Sequence, residues 1–185
     1  MITRQINGSD LCVAIAGARN AQIEDVGDTI RLVKEIAGGN TFQLFDARIV
    51  AGWRHLYHAA VNSVKALDAG TAVSRGLDVE TILYASCQDQ ITRAFSFIGV
   101  SNRTTDVAVV VFGRDPQMAA TIAQRVAEAL GNPDDQVLKV DEAKFRRLKR
   151  AFKVNDASLE AVGGDPHEAL TSLIVEKGAL LALRR

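Results

Sequence analysis

Apolar residues along the chain follow two periodicities, and the first is the short continuous run that is typical of a buried strand. Such runs occur at 11–16, which Gly17 closes, at 41–45 with a continuation at 49–51, and at 107–112. The last run is nearly all β-branched, which is the pattern of a central strand covered on both faces. The pattern therefore predicts strands in these three regions, with 107–112 at the centre of the sheet.

The second periodicity, in which apolar residues recur every three or four positions, predicts helices. They cover 23–36, 53–69, 77–98, 116–130 and a stretch that begins at Pro166. Glycines follow the first three helices, and Asp115 precedes Pro116 in the order that a helix N-terminus prefers. The sequence thus predicts an α/β or α+β fold in a single domain spanning 1–185, with a mixed central sheet packed by helices.

The C-terminal helix is apolar over more of its circumference than one side of a domain covers. It begins with Asp165 as N-cap, and its wide stripe is formed by Leu170, Leu173, Ile174, Leu180 and Leu181. A surface helix buries only one side in its own core, so either the chain wraps this helix or a second protein covers part of it. Gly178 costs about 1 kcal/mol relative to alanine in a helix interior, unless a neighbouring backbone packs closely against it.

The segment 144–153 predicts a short basic helix. Its sequence is Lys-Phe-Arg-Arg-Leu-Lys-Arg-Ala-Phe-Lys, and two acidic residues just before it suit the positive end of the helix dipole. Phe145, Leu148 and Phe152 share one face, which leaves six basic side chains on the remainder. Two interpretations stay open: a solvated amphipathic helix docked by its aromatic residues, or a local positive field that binds a phosphate backbone.

Composition narrows the classes of function. The 185 residues carry 22 Lys and Arg against 22 Asp and Glu, so the net charge is zero and any nucleic-acid contact has to be local. Hydrophobic residues make up 48%, which excludes wholesale disorder, and every apolar run is far shorter than the roughly 20 residues of a membrane span. No secretory signal begins the chain, and Cys12 and Cys87 lie in apolar stretches, which predicts reduced thiols in a cytoplasmic protein.

No cluster of residues predicts catalysis or a cofactor. His55 and His58 are three positions apart on a helix, but no further ligands follow at metal-binding spacing. Cys87 lies within an apolar stripe, as an inert core thiol does. The glycines at 38–39 lack the partners of a phosphate-binding loop, and a Gly-x-Ser-x-Gly elbow is absent. These observations favour a protein that is not an enzyme and that holds no metal, cofactor or small-molecule substrate.

Three stretches of the chain share their residues with a known family. They are 43–52 (Gln-Leu-Phe-Asp-Ala-Arg-Ile-Val-Ala-Gly) followed by His55-Leu56, 83–86 (Leu-Tyr-Ala-Ser) followed by Gln90-Ile91, and 176–183 (Glu-Lys-Gly-Ala-Leu-Leu-Ala-Leu). Together they resemble the small Cgi-type subunit of the KEOPS complex, the family of the PRPK-binding protein (TPRKB), over nearly the whole chain from Leu11. Residues 139–164 are longer than the usual connection in that family, which indicates a basic helical insertion.

The resemblance implies a regulatory subunit without catalytic activity. In the family it binds the N-lobe of the small atypical kinase/ATPase of the complex. It also helps the complex capture tRNA, chiefly by the 3′ CCA end, for threonylcarbamoyladenosine (t6A) formation next to the anticodon. By position, the resemblance implies kinase contacts at Leu173, Leu180 and Leu183 of the C-terminal helix, with Ile91 and Phe95 as neighbours.

The chain departs from the family at 86–91, where relatives often have Ser-Gly-x-Arg-Gln-Ile. Cys87 stands in place of the glycine and Asp89 in place of a basic residue, so other arginines would have to supply charge for RNA. The candidates are Arg54, Arg93 and Arg103, and on the basic helix Arg146, Arg147 and Arg150. Two alternatives remain: a stand-alone small-molecule-binding domain or enzyme using His55, His58 and Asp46, or a module that self-associates through its C-terminal helix.

Overall fold

A five-stranded antiparallel sheet forms the centre of the molecule. In the computed structural model, which describes residues 1–184, the strands are β1 (Ile2–Gln5), β2 (Cys12–Arg19), β3 (Phe42–Asp46), β4 (Asp106–Gly113) and β5 (Asn132–Pro133). The strand order is β1-β2-β4-β3, and β5 pairs with β2. The β-branched strand β4 therefore lies inside the sheet, as its composition predicts, and its residues are buried on both faces.

Helices cover both faces of the sheet. They are α1 (Val26–Ala37), α2 (Gly52–Asp68), α3 (Leu77–Ser86), α4 (Ile91–Ile98), α5 (Pro116–Leu130), α6 (Glu142–Ala151), α7 (Asp156–Val162) and α8 (Pro166–Ala179). Short 3₁₀ turns cover Ala47–Ile49, Asp135–Leu138 and Leu180–Arg184. One apolar core lies between the sheet and α1 and α5, and a second lies between the opposite face and α2, α3 and α4. A third, smaller cluster joins α6 and α8 to that second layer.

The predicted α+β class is confirmed, and most helix bounds agree with the pattern within three residues. Asp115 accepts hydrogen bonds from the backbone of Gln117 and Met118 as the N-cap of α5, and Gly38 ends α1 in the left-handed region with φ 57°. Every strand pair in the described part of the chain is antiparallel rather than mixed. Strand direction is not encoded in a buried apolar run, because the run reads alike in both orientations.

Two strand boundaries differ from the prediction. Residues 49–51 do not continue β3, because the carboxylate of Asp46 accepts a hydrogen bond from the backbone N–H of Arg48 (3.0 Å) and turns the chain into a 3₁₀ turn. Gly17 does not close β2, which continues to Arg19. A Cβ on Gly17 would lie 2.5 Å from the carbonyl oxygen of Asp134, so this glycine permits a close backbone approach.

The predicted helix 77–98 is two helices. Cys87 adopts a left-handed conformation with φ 55°, and the N–H groups of Cys87 and Gln88 bond to the carbonyls of Tyr84 and Leu83, each at 3.2 Å. This Schellman arrangement ends α3, and α4 starts afresh at Ile91. The apolar spacing happens to stay in phase across the break, which is why periodicity alone joins the two helices.

Candidate functional site

The helix α8 is positioned by its cap and by one apolar face. Asp165 Oδ1 accepts hydrogen bonds from the N–H groups of His167 and Glu168, both at 3.0 Å. Leu170 and Ile174 are fully buried, and the helix packs against α2 and α3. Two of the five residues of the predicted stripe are therefore covered by these helices.

Gly178 allows α8 to approach α3 at backbone distance. A Cβ on Gly178 would lie 2.8 Å from the carbonyl oxygen of Tyr84, inside the separation that non-bonded atoms tolerate. The neighbouring backbone that would offset the cost of a glycine within this helix is therefore present. It also brings the Cys87 Sγ atom to 3.7 Å from the carbonyl oxygen of Ile174.

The last turn of the described chain divides the apolar stripe. Leu181 is 2% exposed and belongs to the core under α2 and α3, whereas Leu180 is 40% exposed and Leu183 is 81% exposed. Leu173 is half-buried on α8. Two leucines at this end therefore carry apolar surface that no residue within 1–184 covers.

The two apolar candidates on α4 are also exposed. Ile91 is 43% exposed and Phe95 is 41% exposed, while Ala94 and Ile98 on the same helix are buried. Phe95 lines a groove of about 530 Å³ together with Phe42 of β3. Because α3 packs against both α4 and α8, these two residues and the exposed leucines belong to elements joined by one helix.

The candidate RNA-binding arginines fall into a group and three separate positions. The group is on α6, where Arg146, Arg147 and Arg150 are all exposed. Arg93 lines a groove of about 390 Å³ between Gln88 and Phe97, and Arg103 is exposed in the turn before β4. Asp89 is exposed in the turn between α3 and α4.

Arg54 is engaged within the chain. Its guanidinium pairs with Glu168 of α8 at 2.5 Å and lies 5.8 Å from the ring centre of Trp53. Arg4 approaches the same ring at 5.5 Å. Trp53 lines a cleft of about 520 Å³ that sequence reasoning missed, although a tryptophan followed by an arginine at a helix start is a pattern that could have signalled it.

Lys144 corrects the expected composition of the basic face. Its side chain is buried, and Nζ donates a hydrogen bond to the carbonyl oxygen of Val137 at 2.7 Å. Burial lowers the pKa of Lys144 to about 8, an effect that nearby carboxylates oppose. Lys144 therefore attaches α6 to the 3₁₀ turn Asp135–Leu138 and presents no charge to a ligand.

His55 holds the start of α2 against α3. Its Nδ1 atom accepts a hydrogen bond from the N–H of Ala51 (3.1 Å), so Nε2 carries the proton and donates to the carbonyl oxygen of Ala85 (2.8 Å). Burial lowers the pKa of His55 to about 4. His58 is exposed, and no group of His, Cys, Asp and Glu within 1–184 could hold a metal ion.

We expect stability to depend on pH through His55. Its pKa is about 4 in the folded chain against an ordinary 6.5, so stability is complete above pH 6.5 and is lost as the pH falls towards 4. Between pH 7 and pH 5.5 this one group should remove about 1 kcal/mol of unfolding free energy. Urea unfolding of the wild type and of His55→Gln at both pH values measures it, since the variant lacks the group. Equal pH dependence in the two proteins would contradict this assignment.

Comparison with known proteins places this geometry in a family context. Residues 23–181 match the family model described as "Kinase binding protein CGI-121". The chain is also similar to the "Regulatory protein Cgi121" of Methanocaldococcus jannaschii, with 29% identity over 116 residues, which covers 63% of this chain and 72% of that protein. No helix within 1–184 is long and apolar enough to cross a bilayer. The matched region contains α3, α4, α6 and α8 together with Leu180, and Leu183 lies two residues beyond it. The chain belongs to the CGI-121 family of kinase-binding proteins.

Proposed function

We propose that this chain is a non-catalytic regulatory subunit that binds the small atypical kinase of a KEOPS complex and helps recruit tRNA for t6A formation. The observation that carries the proposal is the exposure of Leu180 and Leu183 at the end of α8, on a stripe whose members Leu170, Ile174 and Leu181 are buried. Membership of a kinase-binding family supports the same role. So do the apolar side chains that remain exposed at the end of α8.

The proposed kinase contact is a small apolar patch. Leu180 and Leu183 are its centre, with the half-buried Leu173 beside them on α8. Fully burying an exposed leucine is worth about 1.5–3 kcal/mol, so a partner's pocket would gain most of that amount from Leu183 and a smaller share from Leu180, which is already more than half covered. Ile91 and Phe95 on α4 extend this proposed surface across α3.

The proposed tRNA contact uses cations and one aromatic ring on the α4 side. Arg93 lines a groove that also contains the ring of Phe97 and the polar side chains of Gln88, Thr92 and Ser96. A cation for the phosphate and an aromatic ring for a base are the usual components of a single-strand site, such as one for the 3′ CCA end. Arg103 adds a further exposed cation, whereas Arg54 would first have to leave Glu168.

The proposal has a direct test. Co-expression of the chain with the small kinase of the same genome should yield a stable complex in equal amounts after two affinity steps, and the chain should also retain an unmodified tRNA transcript. The assay is run under reducing conditions, as for a proposed cytoplasmic subunit. A chain that stays monomeric and releases the kinase refutes the proposal. A mass that rises with concentration in the absence of kinase indicates self-association instead.

A further inference from the structure

The exposed face of α6 carries three arginines, and within residues 1–184 two of them make no ion pair or hydrogen bond that would stabilise the fold. Arg150 lies four positions after Arg146 and three after Arg147, so the three guanidinium groups are neighbours on one helix face. Arg146 is paired with Glu142 at 2.9 Å. Arg147 and Arg150 have no ion-pair or hydrogen-bond partner within the described chain, although neighbouring like charges destabilise a helix.

The same helix is held firmly from below. Lys144 bonds to the carbonyl of Val137 at 2.7 Å, and the ring of Phe145 lies 4.8 Å from that of His167. Leu148 is fully buried. The backbone that carries Arg147 and Arg150 is thereby fixed at three points, which lowers the cost of ordering these side chains on a ligand.

The C-terminal end of α6 adjoins the groove that contains Arg93. The ring of Phe152 packs edge-on against Phe97 at 5.1 Å, and Phe97 itself lines that groove. Lys153, the next residue, is exposed. Phe152, the residue that directly follows α6, therefore links the helix that carries the unpaired cations to the proposed single-strand groove.

We infer that Arg147 and Arg150 bind phosphates of the tRNA backbone and so form an extension of the proposed tRNA contact. This inference rests on the proposed function, which supplies a polyanion as ligand. Planar guanidinium groups bind phosphate through two parallel hydrogen bonds, and neighbouring arginines at helical spacing can engage successive phosphates. Arg146 contributes less, because binding RNA would first break its pair with Glu142.

The test is the salt dependence of tRNA binding by the full chain. Anisotropy titrations of a labelled, unmodified tRNA transcript between about 50 and 200 mM salt compare the wild type with Arg147→Gln/Arg150→Gln. The slope of log affinity against log salt should become shallower by about 1 per lost phosphate contact, and the affinity at low salt should fall about tenfold. Arg146→Gln should change the slope less.

A matched control separates the site from net charge. Arg31→Gln/Arg125→Gln removes the same two charges from exposed positions on α1 and α5, across the sheet, and should leave the slope unchanged. An equal loss in this control, or an unchanged slope in the α6 variant, overturns the inference while leaving the proposed function standing. Loss of kinase binding without loss of tRNA binding also overturns it and assigns the arginines to a protein partner. A wild type that binds no tRNA overturns the inference together with the tRNA-recruiting part of the proposed function.

Discussion

Replacing Leu180 and Leu183 together by aspartate should weaken binding of the kinase subunit by at least about 100-fold while the chain itself stays folded. Both side chains are already exposed, at 40% and 81%, so a carboxylate there remains hydrated in the free chain. In the complex the same carboxylates would be transferred into an apolar contact without a partner, which is costly. Calorimetric titration with the purified kinase measures the affinity, and a thermal melt of the free variant checks the fold.

Two variants control this experiment. Leu32→Asp places one such charge on a leucine about as exposed as Leu180 (43% against 40%), but on α1 at the opposite face of the sheet, and should bind the kinase normally. Leu181→Asp puts the charge into the core and should unfold the chain, because Leu181 is buried beside its exposed neighbours. Wild-type affinity in the double variant would show that the end of α8 is not the docking surface.

The alternation of buried and exposed leucines could not be predicted from periodicity. The stripe places Leu180 and Leu181 together because it extends the α-helical spacing of 3.6 residues to the end of the chain. In the structure α8 ends at Ala179 and continues as a tighter 3₁₀ turn, which turns Leu181 inward and leaves Leu180 outside. Excess apolar surface was thus predictable, but its distribution depends on how the last turn packs.

Elsewhere in the fold, features set by neighbouring residues could be predicted from sequence, whereas features set by tertiary contacts could not. The N-cap Asp115 and the stop at Gly38 act within a few residues of themselves, and both were predicted from sequence. The left-handed residue Cys87 and the buried amine of Lys144 depend on contacts made elsewhere. Sequence reasoning treats an interior cysteine as helical and a lysine as solvated, and both assignments were wrong.

For charged residues, the sequence predicts where they lie along the chain but not which of them form ion pairs. A basic run such as 144–153 is visible in the sequence, and its exposed arginines were predicted as a group. Whether an arginine is free is decided by partners distant along the chain: Glu168 pairs with Arg54 across 114 positions. Arg54 therefore shares its residue type with Arg147 and Arg150 but differs from them in availability for a ligand.

The contact between α8 and α3 depends on the absence of a side chain at residue 178. The nearest atom to a Cβ there is a backbone oxygen, that of Tyr84 at 2.8 Å, and a backbone atom moves less easily than a side-chain end. Alanine is the better helix former by about 1 kcal/mol, so propensity alone predicts that Gly178→Ala stabilises the chain. The steric contact predicts the opposite sign, because α8 would have to move away from α3.

We expect Gly178→Ala to lower the free energy of unfolding by about 1–3 kcal/mol, and Gly178→Val to lower it further. For a chain of this length each kcal/mol corresponds to about 2–4 °C in Tm, so a thermal melt resolves the change. Gly27→Ala is the control, because a Cβ at this exposed position of α1 meets no neighbouring backbone, only the Asp25 Oδ1 atom at 3.0 Å that caps the helix through the N–H of Asp28. Its Tm should fall less than that of Gly178→Ala. The Gly178 variants should also bind the kinase more weakly, since displacing α8 displaces Leu180 and Leu183 with it. A Tm that rises in Gly178→Ala would mean that α8 does not rest on the backbone of α3, and the position assigned to the docking leucines would fall with it.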